Sequence, residues 1–322
     1  MSSLVARITL AALLLLAGGC TEKPEDSTRE GLWKAGLQLN WAPEPEFGGY
    51  YTARDSASFR TEGLEIDIRP GGPGVPGLQM VAAKQVEFGI TSADSLLVAR
   101  ARGADLVAIF ALYQTFPEGI MVHAERGLKS IGEVFNGGTL AMEPGTPYHR
   151  MLERRYGLKK VRAVPYSNNL GPFLHDPLFA QQCFITAEPI AARRAGATPQ
   201  VLPISDIGYN PYGGVVFTRR ELLAEHPERV AAFIRAVRAG WQAYLANPEP
   251  TNQIMHRLNP TMDSATFTEA AAIQKPLILG DSHPLGPLGS MELNRWRTLA
   301  EQLRDLGLIE QTEPEQAFLN PE

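Results

Sequence analysis

Cysteine is nearly missing from this chain: 322 residues contain only Cys20 and Cys183. With Cys20 assigned to the export segment described below, Cys183 has no partner and no disulfide framework can form. Flanked by Gln182 and Phe184 at the start of a short apolar run, Cys183 is expected to pack as a small hydrophobe. An excess of positive charge is also lacking. Thirty basic against 35 acidic side chains leave a net charge of −5, with no basic block, which argues against a nucleic-acid partner. The signatures of common enzymes are absent too: no Gly-x-Ser-x-Gly elbow, no HExxH pair and no Rossmann fingerprint after a strand. His123, His149, His175, His226, His256 and His283 show no metal-ligand spacing, so neither a metal nor a cofactor is expected. The loop Pro70-Gly71-Gly72-Pro73-Gly74-Val75-Pro76-Gly77 lacks the lysine and hydroxyl of a phosphate cradle. Its glycines are expected to let the backbone approach a ligand or a facing domain closely.

What is present begins with an export signal. Arg7 supplies a positive start, and Ile8 to Leu16 form an apolar run too short to span a bilayer. Ala17-Gly18-Gly19-Cys20 resembles the lipobox of bacterial lipoproteins, with Ala17 where a branched aliphatic is usual and Leu16 one step further back. Residues 1–20 therefore read as a lipoprotein signal peptide with Cys20 as the lipidated, mature N-terminus. Residues 21–34 read as a flexible tether, because Thr21 to Glu30 are polar and charged.

Beyond the tether, short apolar runs alternate with longer helical segments. Leu37-Gln38-Leu39 and Leu64-Glu65-Ile66-Asp67-Ile68 alternate as half-buried strands do, and Leu106 to Leu112 suits a strand buried on both faces. Further strands are expected at 88–90, 119–123, 139–142, 161–164, 183–186, 201–204 and 215–218. Helices are expected at 51–59, 78–83, 131–135, and from Ser92 to about Arg102. A helix also carries Met151, Leu152 and Tyr156, and Glu188-Pro189 opens another that ends at Gly196. After Thr218 everything reads as helix: 227–245, with Val230, Phe233, Ile234, Val237 and Trp241 on one face, then 252–258, 264–272 and 291–306. The order suggests two α/β lobes, with the chain crossing near Tyr113 to Gly119 and returning near Tyr209 to Gly214. Lobe 1 would comprise 35–116 and 214–322, and lobe 2 would comprise 117–213.

The stretch Asn40-Trp41-Ala42-Pro43-Glu44-Pro45-Glu46-Phe47-Gly48-Gly49-Tyr50-Tyr51-Thr52-Ala53 follows the first strand and feeds a helix, a common position for a ligand site. Other strand ends repeat its mixture of aromatic and hydrogen-bonding groups. The candidate ligand-binding residues are Asn40, Trp41, Glu46, Tyr50, Ser92, Gln114, Thr146, Tyr148, Glu188, Tyr209 and Tyr212. Ser92 would cap its helix, with free first-turn amides facing the same crevice as Trp41. For Asp94, plain capping is the expectation. Glu188 would accept hydrogen bonds from amino or ring N–H groups, and aromatic faces suit a planar ligand.

Asn40-Trp41-Ala42-Pro43 with Phe47-Gly48-Gly49-Tyr50-Tyr51-Thr52-Ala53 resembles the opening of ABC-importer substrate-binding proteins of the thiamine-pyrimidine-synthase-like group. Thr61-Glu62-Gly63-Leu64, the Pro70 to Gly77 loop, Glu87-Phe88-Gly89-Ile90-Thr91-Ser92, Glu188-Pro189 and Gly240-Trp241 extend the likeness. The resemblance implies a type II periplasmic-binding-protein fold, in which each lobe is a mixed sheet flanked by helices and the ligand cleft lies between the lobes. It also implies a monomer in the bacterial cell envelope, anchored by lipid, that delivers a small molecule to a membrane permease. The ligand would be a neutral or weakly basic planar heterocycle, such as a pyrimidine thiamine precursor or a flavin, stacked between Trp41 and a tyrosine of the other lobe. A sulfonate, nitrate or taurine-like anion is the alternative. A second alternative is the thiamine pyrimidine synthase, an enzyme that consumes a histidine in the first loop and carries a cysteine cluster. Here those positions hold Phe47 and the cysteine-free Asn210-Pro211-Tyr212-Gly213-Gly214. Pyrimidine-binding relatives usually have asparagine and histidine where this chain has Glu44 or Glu46 and Phe47. For the anchor, Cys20→Ser is expected to abolish membrane association in cell fractionation; an unchanged distribution would point to simple secretion.

Overall fold

A computed structural model describes residues 31–280, 287–311 and 313–320. The signal segment, Cys20 and most of the tether lie outside these residues. Among the described residues ten strands form two five-stranded mixed sheets. The first contains β1 (Trp33–Gln38), β2 (Leu64–Arg69), β3 (Phe88–Thr91), β4 (Leu106–Tyr113) and, from far along the chain, β10 (Gly213–Arg219), in the order β2-β1-β3-β10-β4. The second contains β5 (Glu118–His123), β6 (Thr139–Met142), β7 (Arg162–Pro165), β8 (Phe179–Phe184) and β9 (Pro199–Pro203), in the order β7-β6-β8-β5-β9. Each sheet is parallel except for one reversed strand: β10 runs antiparallel to β3 and β4, and β5 to β8 and β9. No described helix is long and apolar enough to cross a membrane.

Local chemistry explains much of this. β2 alternates buried Leu64, Ile66 and Ile68 with outward Glu65 and Asp67, as an edge strand with one solvated face must. Every residue of the apolar β4 is buried. The amphipathic Pro227–Ala246 helix starts on a proline, whose missing N–H costs nothing there, and buries Val230, Phe233, Ile234, Val237 and Trp241. Several boundaries differ from the periodicity. β1 begins at Trp33, inside the segment read as tether, and pairs from there with Leu64 of β2. The helix expected over 51–59 is two pieces, Gly48–Asp55 and Ser58–Thr61, separated by Ala57 in the left-handed region at φ 63°. β8 starts at Phe179 rather than Cys183, because the buried amides Gln181 and Gln182 interrupt an otherwise apolar run. Cys183 sits near the end of that strand, packed with Met121, Ala141, Phe173 and Ala192. The Ser264–Leu279 helix continues well past 272 and contains Pro276.

The glycine pair of the opening stretch has a packing role. The Gly48–Asp55 and Pro227–Ala246 helices cross at backbone contact. A Cβ on Gly240 would stand 2.2 Å from the Gly49 carbonyl oxygen and 2.6 Å from the Ala53 methyl. On Gly49 it would meet the Trp241 ring at 2.2 Å, and on Gly48 the Tyr244 ring at 2.2 Å. Only glycine fits there. Gly71 serves the adjoining loop: its N–H donates to the Trp41 carbonyl (2.9 Å), and a Cβ would lie 2.3 Å from the Leu39 oxygen. The close approach expected of the glycine-rich loop is thus made to the chain's own first loop.

The two chain crossings, 114–117 and 208–212, are tied together. Arg295, on the Leu293–Asp305 helix, donates to the carbonyls of Gln114 (2.7 Å), Asn210 (2.8 Å) and Pro211 (3.0 Å), and its guanidinium lies 3.8 Å above the Tyr212 ring. The Asn210 side-chain oxygen accepts from both Phe116 N (2.8 Å) and Arg295 (3.2 Å). Gly240→Ala is expected to destabilise the fold by about 1–3 kcal/mol through overpacking. Urea unfolding reads this as a lowered midpoint, and an unchanged midpoint would mean that the helices part freely.

Candidate functional site

The loop after β1 is shaped by proline and held from behind. Pro45 opens a 3₁₀ turn, Pro45–Phe47, in which Phe47 N donates to the Glu44 carbonyl (2.8 Å). Asn259 donates to the Pro43 carbonyl (3.2 Å) and Gln274 to that of Pro45 (2.9 Å), while Tyr113 donates to the other end of Gln274 (2.9 Å). Pro45 and Phe47 are buried by this, which leaves Glu44 and Glu46 half-buried. The charges that act on them belong to Glu118, the first residue of β5, and Glu188, the first residue of the Glu188–Arg194 helix.

Glu188 is anchored by Phe184 N (2.8 Å) and by the Tyr166 hydroxyl, which donates to its other oxygen. These bonds oppose the burial that raises its pKa. Burial and then the Glu188 charge push Glu44 up to about 8, with the Trp41 indole beside it acting in the other direction. Glu46 is raised well above the ordinary carboxyl range by burial and then by Glu44, Glu118 and Glu188. Glu118 is raised by burial and by Glu188, Asp94 and Glu143. Among the described residues no lysine, arginine or histidine pairs with any of the four glutamates. Nor do any three acids, histidines or cysteines there group tightly enough to hold a metal ion. The arrangement is a set of carboxyl groups without basic partners, and the half-buried residues Trp41, Tyr166 and Phe184 stand beside Glu44 and Glu188.

Trp41, Glu46 and Glu188 therefore come together, with Glu44, Glu118 and Tyr166 completing the group. The structure places the other candidates apart from this group. Asn40 is exposed at the end of β1. Tyr50 is 0 % exposed and lies edge-on to Trp241 in the helix crossing, so it does not reach the cleft surface. Ser92 precedes its helix as expected, but its hydroxyl donates to Asp94 instead of capping a backbone amide, and Ala93 N is spent on the Tyr212 carbonyl (2.9 Å). Asp94 also accepts from Tyr209 (2.7 Å) and Ser95 N (2.8 Å), so it joins the helix to the return crossing, beyond the plain capping expected. Tyr212 is 2 % exposed beneath Arg295, and its hydroxyl accepts from Glu292 N (2.9 Å). Gln114 lies in the crossing and bonds Ala111 and Ser290 carbonyls. Thr146 donates to the Glu143 carbonyl (3.1 Å), and the buried Tyr148 donates to Gln182 (2.6 Å). Tyr166 was findable, since it follows β7 as an aromatic strand end. Glu118 gave no signal beyond standing just after a crossing.

The raised carboxylates fix a pH dependence. A carboxyl whose folded pKa lies above its unfolded value adds stability at low pH that is lost as pH rises through the folded pKa. For Glu44 this window runs from its ordinary 4.5 to about 8. The melting temperature of the ligand-free protein, relative to Glu44→Gln, is expected to fall between about pH 5 and pH 8. Parallel pH profiles of the two proteins would show that the Glu44 carboxylate is fully solvated.

A sequence profile of the family described as NMT1/THI5 like matches residues 44–251. The riboflavin-binding protein RibY of Chloroflexus aurantiacus is 23% identical over 318 residues, covering 94% of this chain and 90% of that one. The formylaminopyrimidine-binding protein of Halalkalibacterium halodurans is 23% identical over 318 residues, covering 94% and 93%. Among solved structures, the periplasmic aliphatic sulphonate binding protein SsuA of Escherichia coli superposes with a TM-score of 0.68 at 14% identity, covering 90% of this chain and 92% of that one. The fold is accordingly the two-lobed α/β fold of periplasmic binding proteins, and the chain belongs to the NMT1/THI5-like family.

Proposed function

We propose that this protein is the extracytoplasmic ligand-binding component of an ABC importer. It takes a small planar nitrogen heterocycle, rich in N–H donors, into the cleft between its lobes and hands it to a membrane permease. The observation that carries the reading is a set of four half-buried glutamates, two from each lobe, that raise one another's pKa values and have no basic partner among the described residues, with the Trp41 indole beside Glu44 and the Tyr166 hydroxyl on Glu188. A carboxyl whose pKa is raised as that of Glu44 is offers an acceptor and, when protonated, a donor, so the complementary ligand sets N–H donors beside ring-nitrogen acceptors. Amino and ring N–H groups of a pyrimidine or flavin-like ring fit that need, and the rings of Trp41 and Tyr166 offer flat apolar surface beside it. The names of the two binding relatives point the same way.

An anion is disfavoured. A sulfonate or nitrate in this cleft would face four carboxyl groups and no arginine fork, the reverse of what oxyanion recognition uses. The likeness to SsuA is one of fold. Synthase chemistry is disfavoured as well, because Phe47 stands at the position the resemblance gives to the consumed histidine, and it is 1 % exposed in the first lobe's core. Closure follows the binding-protein pattern, in which ligand favours the state where both lobes contact it. The lipid anchor on Cys20 and a monomeric state complete the proposal.

Thermal-shift screening against pyrimidines, flavins, aromatic sulfonates and nitrate tests it. Heterocycles are expected to raise the melting temperature, and stabilisation by anions alone would defeat the reading. Trp41→Ala is expected to weaken binding by roughly tenfold or more, the scale of one lost aromatic contact, while leaving the fold intact. Unchanged affinity would make Trp41 a packing residue.

A further inference from the structure

We propose that Arg193 and Arg194, with Asp263 and Glu269, form a clasp across one flank of the cleft that holds the two lobes together before any ligand arrives. The inference rests on the two-lobed fold and does not depend on what is bound. Its first support is geometric. The four side chains belong to two helices that pack on different sheets, Glu188–Arg194 against β8 and β9 and Ser264–Leu279 against β4, with Asp263 at the start of the second. Arg193 Nη2 stands 2.5 Å from Glu269 Oε1, Arg194 Nη1 3.0 Å from Asp263 Oδ1, and Arg194 Nη2 3.7 Å from Glu269 Oε2. The cations and anions thus form one continuous network, with Arg194 shared between both acids.

The second support is preorganisation. An isolated surface pair is worth little, because two long side chains must be held in one geometry while water screens their charges. Here one anion is held already. Asp263 caps its helix, accepting from Thr266 N (3.0 Å) and from the Thr266 hydroxyl (2.7 Å), so its carboxylate is fixed independently of Arg194. The helix ends add to this. The arginines stand in the last turn of one helix and Asp263 precedes the first turn of the other, each at the end where the backbone dipole favours its charge. A two-state hinge responds to any contact made in only one of its states, so a modest network is enough to move it.

The third support is what else the two helices hold. Glu188, with Tyr166 on it, opens the first, so this piece of the candidate site and the clasp stand at opposite ends of about 10 Å of helix. On the second, Gln274 donates to the Pro45 carbonyl (2.9 Å), and Asn259, upstream of it, donates to that of Pro43 (3.2 Å). Both bonds brace the loop that carries Trp41 and Glu46. Tyr113, whose hydroxyl donates to Gln274, meets the Phe184 ring of the other lobe edge-on at 5.7 Å. The clasp therefore joins the two pieces of backbone that carry the two halves of the site. Arg193 and Arg194 act on it as positioning residues, through the helix they share with Glu188.

The test measures the distance between the lobes in the ligand-free protein by pulsed electron–electron resonance. Spin labels are placed on Glu65→Cys in β2 and Lys160→Cys shortly before β7, both exposed positions, while the native Cys183 is buried. At low salt the parent is expected to show mainly the distance of this structure. Raising the salt to about 1 M, where the Debye length falls to about 3 Å, is expected to lower the closed-to-open ratio about threefold or more. Arg193→Glu and Glu269→Arg each set like charges face to face and are expected to lower that ratio about tenfold at low salt. Arg193→Glu/Glu269→Arg is expected to restore it to within about threefold of the parent. Melting temperatures within about 3 °C of the parent would show that the variants keep the fold. A parent that is open at low salt, or a distance unmoved by salt and by both single variants, would overturn the clasp. So would a reversed pair as open as the single variants. The salt titration of the parent decides the matter even where a variant fails to fold. None of these outcomes bears on the binding function, which the thermal-shift screen decides separately.

Discussion

One guanidinium sets the geometry on which everything else depends. Arg295 ties the outgoing and returning crossings to each other by donating to carbonyls on both, and it covers Tyr212 with its flat face. Crossing strands are where a two-lobed protein has fewest ladder hydrogen bonds, and their carbonyls need partners if they are buried. A planar cation with five fixed donors answers that need from a single residue, in a way a lysine ammonium would not. Asn210 contributes a further link by accepting from Phe116 N. Glu118 follows Pro117 at the end of this fastened segment, so its position relative to Glu46 is inherited from the clamp and not from its own contacts.

The molecule uses buried acids in two contrasting ways. Asp94 receives three hydrogen bonds, from Ser92, Ser95 N and Tyr209, and joins a helix start to the return crossing. Its charge is fully answered within the fold. Glu46 and Glu118 are half-buried, and no basic side chain in the described fold pairs with either. A satisfied carboxylate stabilises structure, while an unsatisfied one is tolerated where something else supplies the missing partner. Burial and hydrogen bonding together separate Asp94 in the frame from Glu46 and Glu118.

The architecture was largely readable because its signals are local. The alternation in β2, the apolar run of β4 and the stripe of the Pro227–Ala246 helix each follow from a side-chain period within one element. β8 was shortened because Gln181 and Gln182 look like loop residues until their burial is known. The site was readable only in part. Trp41 and Glu188 stand beside strand ends, where pattern points to them. The glycine pair and Tyr50 stand in the same stretch, but packing against Gly240 and Trp241 claims them. That claim is made by a helix nearly two hundred residues away in the 322-residue chain, which no local window contains. The meeting of Glu44, Glu118 and Glu188 has the same character, since the charge each one feels is a property of tertiary structure.

The place of β10 has a consequence for how the chain acquires its shape. β3 ends at Thr91 and β4 begins at Leu106, yet the two never pair, because the slot between them belongs to residues Gly213–Arg219. All five strands of the second sheet lie within Glu118–Pro203, an uninterrupted stretch that can assemble as soon as it is available. The first sheet must instead wait, with β3 and β4 presenting unpaired edges, until the far side of the other lobe has been made. Closing a loop of that length is a slow step, and folding speed falls as contacts become less local. The sheet of the N-terminal lobe therefore cannot be completed until Gly213–Arg219 has returned to it.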